Sequence, residues 1–172
     1  MKLLAQYADP FWEDEAIESI RFTVRVLLQN QAGHFGLLKI VGEDGLGTRQ
    51  HFETCGGGVE GDESFIEAAQ RELMEEMGIV AKEFSEVGVI IDRLNPLKRL
   101  TLSVYVHAIV ASENHGIQRT ESEEILIDSI VWMSAADVIQ ALSKAYSPID
   151  AYVHRRDLRA FVALFENQNQ GG

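Results

Sequence analysis

Apolar and polar residues alternate along "SIRFTVRVLLQN" (residues 19–30), a period of two that predicts a strand with one face on a core. "NQAGH" reads as a turn and "FGLLKIV" (35–41) as the returning strand. After the loop "GEDGLG", a further short strand is predicted over residues 49–54. The period then changes. Ile66, Ala69, Leu73 and Met77 recur at helical spacing, so residues 63–77 are predicted as a helix packed on a sheet. Ser64 and Glu67 have the spacing of a capping box, and Gly78 suits a left-handed terminator.

Strands are predicted at 86–94 and 99–111, joined by a turn at Asn95 and Pro96, and at 128–133. Helices follow from Ser134 to about Lys144 and from Pro148 to about Phe165. The expected fold is α/β in the broad sense, an α+β mixed sheet with helices on its faces. It is read as one domain over 1–172, with 1–18 as an arm and 167–172 as a flexible tail.

A chain of 172 residues can bury a real core, and a formal net charge of −12 argues against a nucleic-acid polymer as partner. The acidity does not forbid a small anionic ligand that brings a cation with it. The single cysteine, Cys55, cannot close an internal disulfide. No run has transmembrane length and the start does not read as a signal peptide, so a soluble, cytoplasmic protein is expected, with no membrane partner.

Charge changes the picture most at "GGVEGDESFIEAAQRELMEEMGI" (57–79), which is dense in acids against one arginine. On a helix Glu72, Glu75 and Glu76 share a face beside the apolar stripe, and like charges at that spacing repel. A solvated acidic face and a divalent-cation site both fit the helix alone. The preceding "CGGGVEGDE" holds four glycines in nine residues, which lets a backbone carbonyl approach an ion held by the carboxylates.

Gly57, Glu63, Arg71, Glu72, Leu73, Glu75, Glu76, Gly78 and Ile79 together resemble the signature of the Nudix hydrolases, with every fixed position filled. The resemblance implies an α/β/α sandwich and cleavage of a pyrophosphate bond in a nucleoside diphosphate linked to another moiety, such as a nucleotide sugar. It further implies Mg2+, with Mn2+ as a substitute, held by Glu72, Glu75 and Glu76 and aided by the Gly57 carbonyl. Arg71 would orient a glutamate, Glu75 being one candidate, and Glu63 would hold the loop against the helix. The general base stays open between a motif glutamate and one from a later acidic loop, "QRTESEEI", where Glu121, Glu123 and Glu124 are candidates and Glu124 is preferred.

A nucleoside triphosphate pyrophosphohydrolase that removes damaged nucleotides and a non-catalytic nucleotide sensor are the alternatives, because the signature is shared among activities. The expected partner is a small nucleotide-type substrate, and a homodimer is left open. Cys55 stands where many relatives carry proline and reads as core filler. Pro96 lies near the offset of a proline in some ADP-ribose-cleaving relatives, and reads equally well as a turn residue. Arg49, Arg93, Lys98 and Arg99 could meet phosphates or simply balance the acidic surface.

Overall fold

The alternating stretch forms strand β2 (Ser19–Gln29), and its apolar residues divide between two cores. Val24, Val26 and Leu28 enter one core, while Leu27 enters the other, so the second half of β2 is covered on both faces. In the computed structural model, which describes residues 1–170, β2 is followed by β3 (Phe35–Asp44) and β4 (Gly47–Glu53). The turn into β3 is closed by the Asn30 side chain, which accepts from the N–H groups of Ala32 and His34.

Helix α1 (Phe65–Glu72) runs on into a π-helical turn at Leu73–Met77. Strands β5 (Val80–Leu94) and β6 (Arg99–Ser112) follow, separated by a 3-10 turn at Asn95–Leu97. Then come helix α2 (Glu121–Leu126), strand β7 (Ile127–Met133), and helices α3 (Ala135–Leu142) and α4 (Pro148–Gln170). Strand β1 (Leu3–Tyr7) lies within the predicted arm and pairs in parallel with β5. Five residues are too few for the alternation to announce it.

The sheet runs β1-β5-β6-β2-β3-β4, with β7 on the other edge of β3. β2 and β6 pair in parallel along the whole of β2, whereas β2 meets β3 only at Leu28 with Gly36 and Gln29 with Phe35. Beyond that point the sheet forks. β4 takes over the edge of β3 from Leu38 onward, and the free edge of β2 is taken by the glycine-rich loop after β4. Val26 N–H donates to the Cys55 carbonyl, Val24 N–H to Gly57, and Val59 N–H to Phe22. One core, with α1, fills one side of this fork, and the other lies under α3 and α4.

Three sequence expectations shift. Ile66 is 42 % exposed, and Ala68 and Ala69 form the buried face of α1 in its place. The acid-rich segment expected as a loop is helix α2, because Thr120 and Glu123 form a capping box. Residues 167–170 continue α4, and the remainder of the expected tail lies outside the described residues. Among the described residues no helix is long and apolar enough to cross a membrane.

Candidate metal centre and adjoining cavity

The capping box that starts α1 is formed in both directions: Ser64 Oγ accepts from Glu67 N–H, and the Glu67 carboxylate accepts from Ser64 N–H. This fixes the phase of the helix and therefore where its glutamates point. At the far end, Gly78 takes φ +64°, and a Cβ there would lie 2.3 Å from the His115 carbonyl oxygen. The π-helical turn between them carries Glu75 and Glu76, and such turns cluster at functional sites. Segment 115–119 satisfies carbonyls at this helix end. His115 N–H donates to Gly78, Gln118 N–H to Glu75, and the Arg119 guanidinium twice to Glu76.

Arg71 stands at the centre of the carboxylates with all five N–H donors engaged. Nε and Nη2 donate to Glu63 at 3.2 and 2.7 Å, Nη2 also to the Gly58 carbonyl at 2.9 Å, and Nη1 to Glu72 at 2.9 Å and Glu75 at 3.0 Å. It thus ties the glycine loop, through Glu63 and Gly58, to the acidic face of the helix. These contacts hold its proton more firmly than usual, the bonds to Glu63 leading.

The three helix glutamates differ in setting. Glu75 is partly open to solvent, whereas Glu72 is 7 % and Glu76 6 % exposed. Burial raises the Glu72 carboxyl above its usual range, against the pull of Arg71. Burial likewise pushes Glu76 up to about 7, although the Cys55 thiol and the Gly56 N–H at 2.9 Å favour its ionised form. Cys55 is wholly buried, and burial together with Glu76 keeps its thiol protonated, so it acts as packing.

The glycines are required by close approach. A Cβ on Gly57 would sit 2.3 Å from Glu72 Oε1, and one on Gly56, at φ +138°, would sit 2.2 Å from the Val24 carbonyl oxygen. The Gly57 carbonyl already accepts from Val24 N–H at 3.0 Å, which leaves one lone pair for any other partner. Among the described residues no three acidic, histidine or cysteine side chains are gathered closely enough to hold an ion, since Arg71 stands between Glu72 and Glu75. The donors still suit a hard divalent cation: carboxylate oxygens on adjacent turns, two of them on buried residues whose charge nothing fully offsets.

Glu76 also lines a cavity of about 240 Å³ at the fork of the sheet, together with Arg25, Glu53, Arg99, Glu123 and Arg156. Of the acids on α2, Glu123 reaches this cavity, but its carboxylate caps Thr120 N–H at 2.7 Å. Glu124 is exposed and lies outside the cavity lining, and Glu121 is exposed as well. Glu53, at the end of β4, lies outside the acidic motif and carries no sequence signal of a place in the cavity. Burial opposes its charge, yet the bond to His51 and the charges of Arg25, His51 and Arg156 hold it at about 2. Buried His51 in turn bonds Asp150 at 2.9 Å, which anchors β4 to α4.

The forked mixed sheet, the capped acidic helix and the arginine hub beneath the glycine loop define a Nudix-type hydrolase. The NUDIX domain family matches residues 19–156, most of the chain, so the chain belongs to the Nudix family and is a pyrophosphohydrolase. Solved structures agree on the fold. A NUDIX hydrolase from Nitrosomonas europaea superposes with TM-score 0.66 at 17 % identity, over 86 % of this chain and 89 % of that one. A MutT protein from Methanosarcina mazei Go1 gives 0.61 at 19 % identity, over 90 % and 99 %. A structure described as an ADP compounds hydrolase gives 0.65 at 21 % identity, over 88 % and 75 %. No curated protein matches the chain in sequence.

Proposed function

We propose that this protein hydrolyses the pyrophosphate bond of a nucleoside diphosphate linked to another moiety, using Mg2+ or Mn2+ held by Glu72, Glu75, Glu76 and a carbonyl of the glycine loop. The observation that carries this reading is the convergence of Glu72 and Glu75 on Arg71, with buried Glu76 on the adjoining turn, against a glycine loop where a Cβ at Gly56 or Gly57 would clash. Within that loop Gly56 is a second candidate beside Gly57, because its carbonyl accepts none of the hydrogen bonds that tie the loop to β2. The like fold of the ADP compounds hydrolase supports a diphosphate-linked substrate.

A bound divalent ion would supply charge neutralisation of the diphosphate and activation of the attacking water. The protein's own residues do the positioning. Arg71 fixes Glu72 and Glu75 relative to the loop, and Gly56 N–H fixes Glu76. The proton acceptor for the attacking water is drawn from the motif glutamates. Glu53, held at about 2, is too weak a base, Glu123 is committed to its cap, and Glu124 lies outside the cavity lining.

The test is hydrolysis of a panel of nucleotide sugars, dinucleotides and triphosphates with magnesium, resolving monophosphate, phosphate and pyrophosphate products. Glu75→Gln and Glu76→Gln should each lower turnover by roughly a hundredfold or more. The reading fails if no substrate turns over, or if both variants retain full activity. Pyrophosphate release from a triphosphate, with diphosphate-linked compounds untouched, would favour the triphosphate alternative.

A further inference from the structure

Three arginines from distant parts of the chain line the cavity beside Glu76: Arg25 on β2, Arg99 at the start of β6 and Arg156 on α4. Their donors are largely unused. The Arg99 side chain makes no hydrogen bond or ion pair among the described residues, and its Nε is buried without a partner. Arg156 is 5 % exposed, gives only Nε to Asp157, and leaves a buried Nη2 unpartnered. Arg25 gives Nη1 to the Thr54 carbonyl at 3.1 Å and leaves a buried Nε free.

The nearby acids do not take up these donors: buried Asp92 supplies a countercharge near all three arginines, but neither of its carboxylate oxygens has a hydrogen-bond partner. Glu53 bonds His51, and no arginine reaches it within hydrogen-bonding distance. Asp157 is shared among Thr54, Tyr105 and Arg156. Arg49, also in the lining, is taken by Asp44, and the neighbouring Arg93 and Lys98 pair with Asp14 and Glu18. Of the four cations noted in the sequence around this region, Arg99 alone is left unpaired. Burial, and then the charge of Arg21, weakens its hold on its proton. Guanidinium groups with idle donors call for an acceptor that carries negative charge and several oxygens.

We infer that this cavity is an anion subsite that takes a phosphate group of the substrate other than the diphosphate cleaved at the acidic helix. The inference rests on the pyrophosphohydrolase reading, and it narrows the substrate to molecules with phosphate beyond the scissile bond. That phosphate could be a monoester on a ribose or an extension of the phosphate chain, since both present the same oxygens to the guanidinium groups.

Inorganic phosphate and tripolyphosphate, titrated calorimetrically into the full chain with a chelator present, test the subsite without any turnover. Stripped of metal, the glutamate cluster repels anions, so saturable binding must come from the arginines. Arg99→Gln, at a residue with no partner to lose, should remain folded by circular dichroism and weaken binding about tenfold or more. Absence of saturable binding, or equal binding in Arg99→Gln, overturns the inference. Glu75→Gln should still bind phosphate, so a failure of the catalytic reading and a failure of the subsite are separable.

With magnesium restored, matched substrates distinguish the two sources. An advantage for the 2′-phosphate of ADP-ribose over ADP-ribose assigns the subsite to a ribose phosphate. An advantage for diadenosine tetraphosphate over the diphosphate assigns it to the chain. In either case Arg99→Gln should erase the advantage, and no advantage in either pair overturns the substrate assignment.

Discussion

Arg119 holds Glu76 by its backbone: Nε and Nη2 both donate to the Glu76 carbonyl, at 3.0 and 2.8 Å. The contact closes the π-helical turn from outside and sets where the Glu76 side chain begins. Arg119→Ala should cost about 1–3 kcal/mol of stability, read by urea denaturation. It should also lower kcat more than it raises KM, because it shifts a glutamate without touching substrate. An unchanged kcat in a folded variant would show that the turn keeps its shape unaided.

Arg71→Lys tests the hub. A lysine offers three donors from one point, whereas Arg71 uses five spread over Glu63, Gly58, Glu72 and Glu75. Conservation of charge should therefore not rescue function. Turnover should drop at least about tenfold, and thermal denaturation should show a loss of about 1–3 kcal/mol.

The two loop glycines should fail in different ways. In Gly57→Ala the new methyl meets the end of the Glu72 side chain, which can swing aside, so the protein should fold but bind Mg2+ weakly by calorimetry. In Gly56→Ala it meets the Val24 carbonyl at a positive φ, so the fold itself should suffer by roughly 3 kcal/mol or more. Equal stability of the two variants would contradict this division.

Glu76 makes the metal-free protein sensitive to pH. Its folded pKa of about 7 lies above the ordinary 4.5, so the folded state binds the proton more tightly than the unfolded chain. The stability tied to that proton is present in acid and is lost as pH rises from about 4.5 through about 7, by up to about 3 kcal/mol. Mg2+ should therefore raise Tm more at about pH 8 than at about pH 5. Glu76→Gln should flatten the dependence in chelator, as scanning calorimetry over this pH range would show.

Features written in neighbouring residues were legible in the sequence. The Ser64 and Glu67 cap, the Gly78 terminator and the spacing from Gly57 to Ile79 are local, and the structure forms the cap and the terminator as the spacing predicts. The fork of the sheet was not legible, because β2 alternates in the same way whether β3 or a loop takes its edge. The arginines of the cavity were hidden for a related reason. Arg99 stands among the cations that could meet phosphates, but nothing local joins it to Arg25 and Arg156 until three elements converge. Arg119 stands beside a run of acids with no local signal of its own, and only the carbonyls freed at the helix end give it a role.

The parallel pairing of β2 with β6 joins residues about 80 positions apart, as Thr23 and Ser103 show. A chain emerging from the ribosome therefore completes its acidic helix before the strand that closes the core. Until then Glu72 and Glu76 remain hydrated and cost nothing. Only the closing of the core confines them, so the burial of these carboxylates depends on the long-range pairing of β2 with β6.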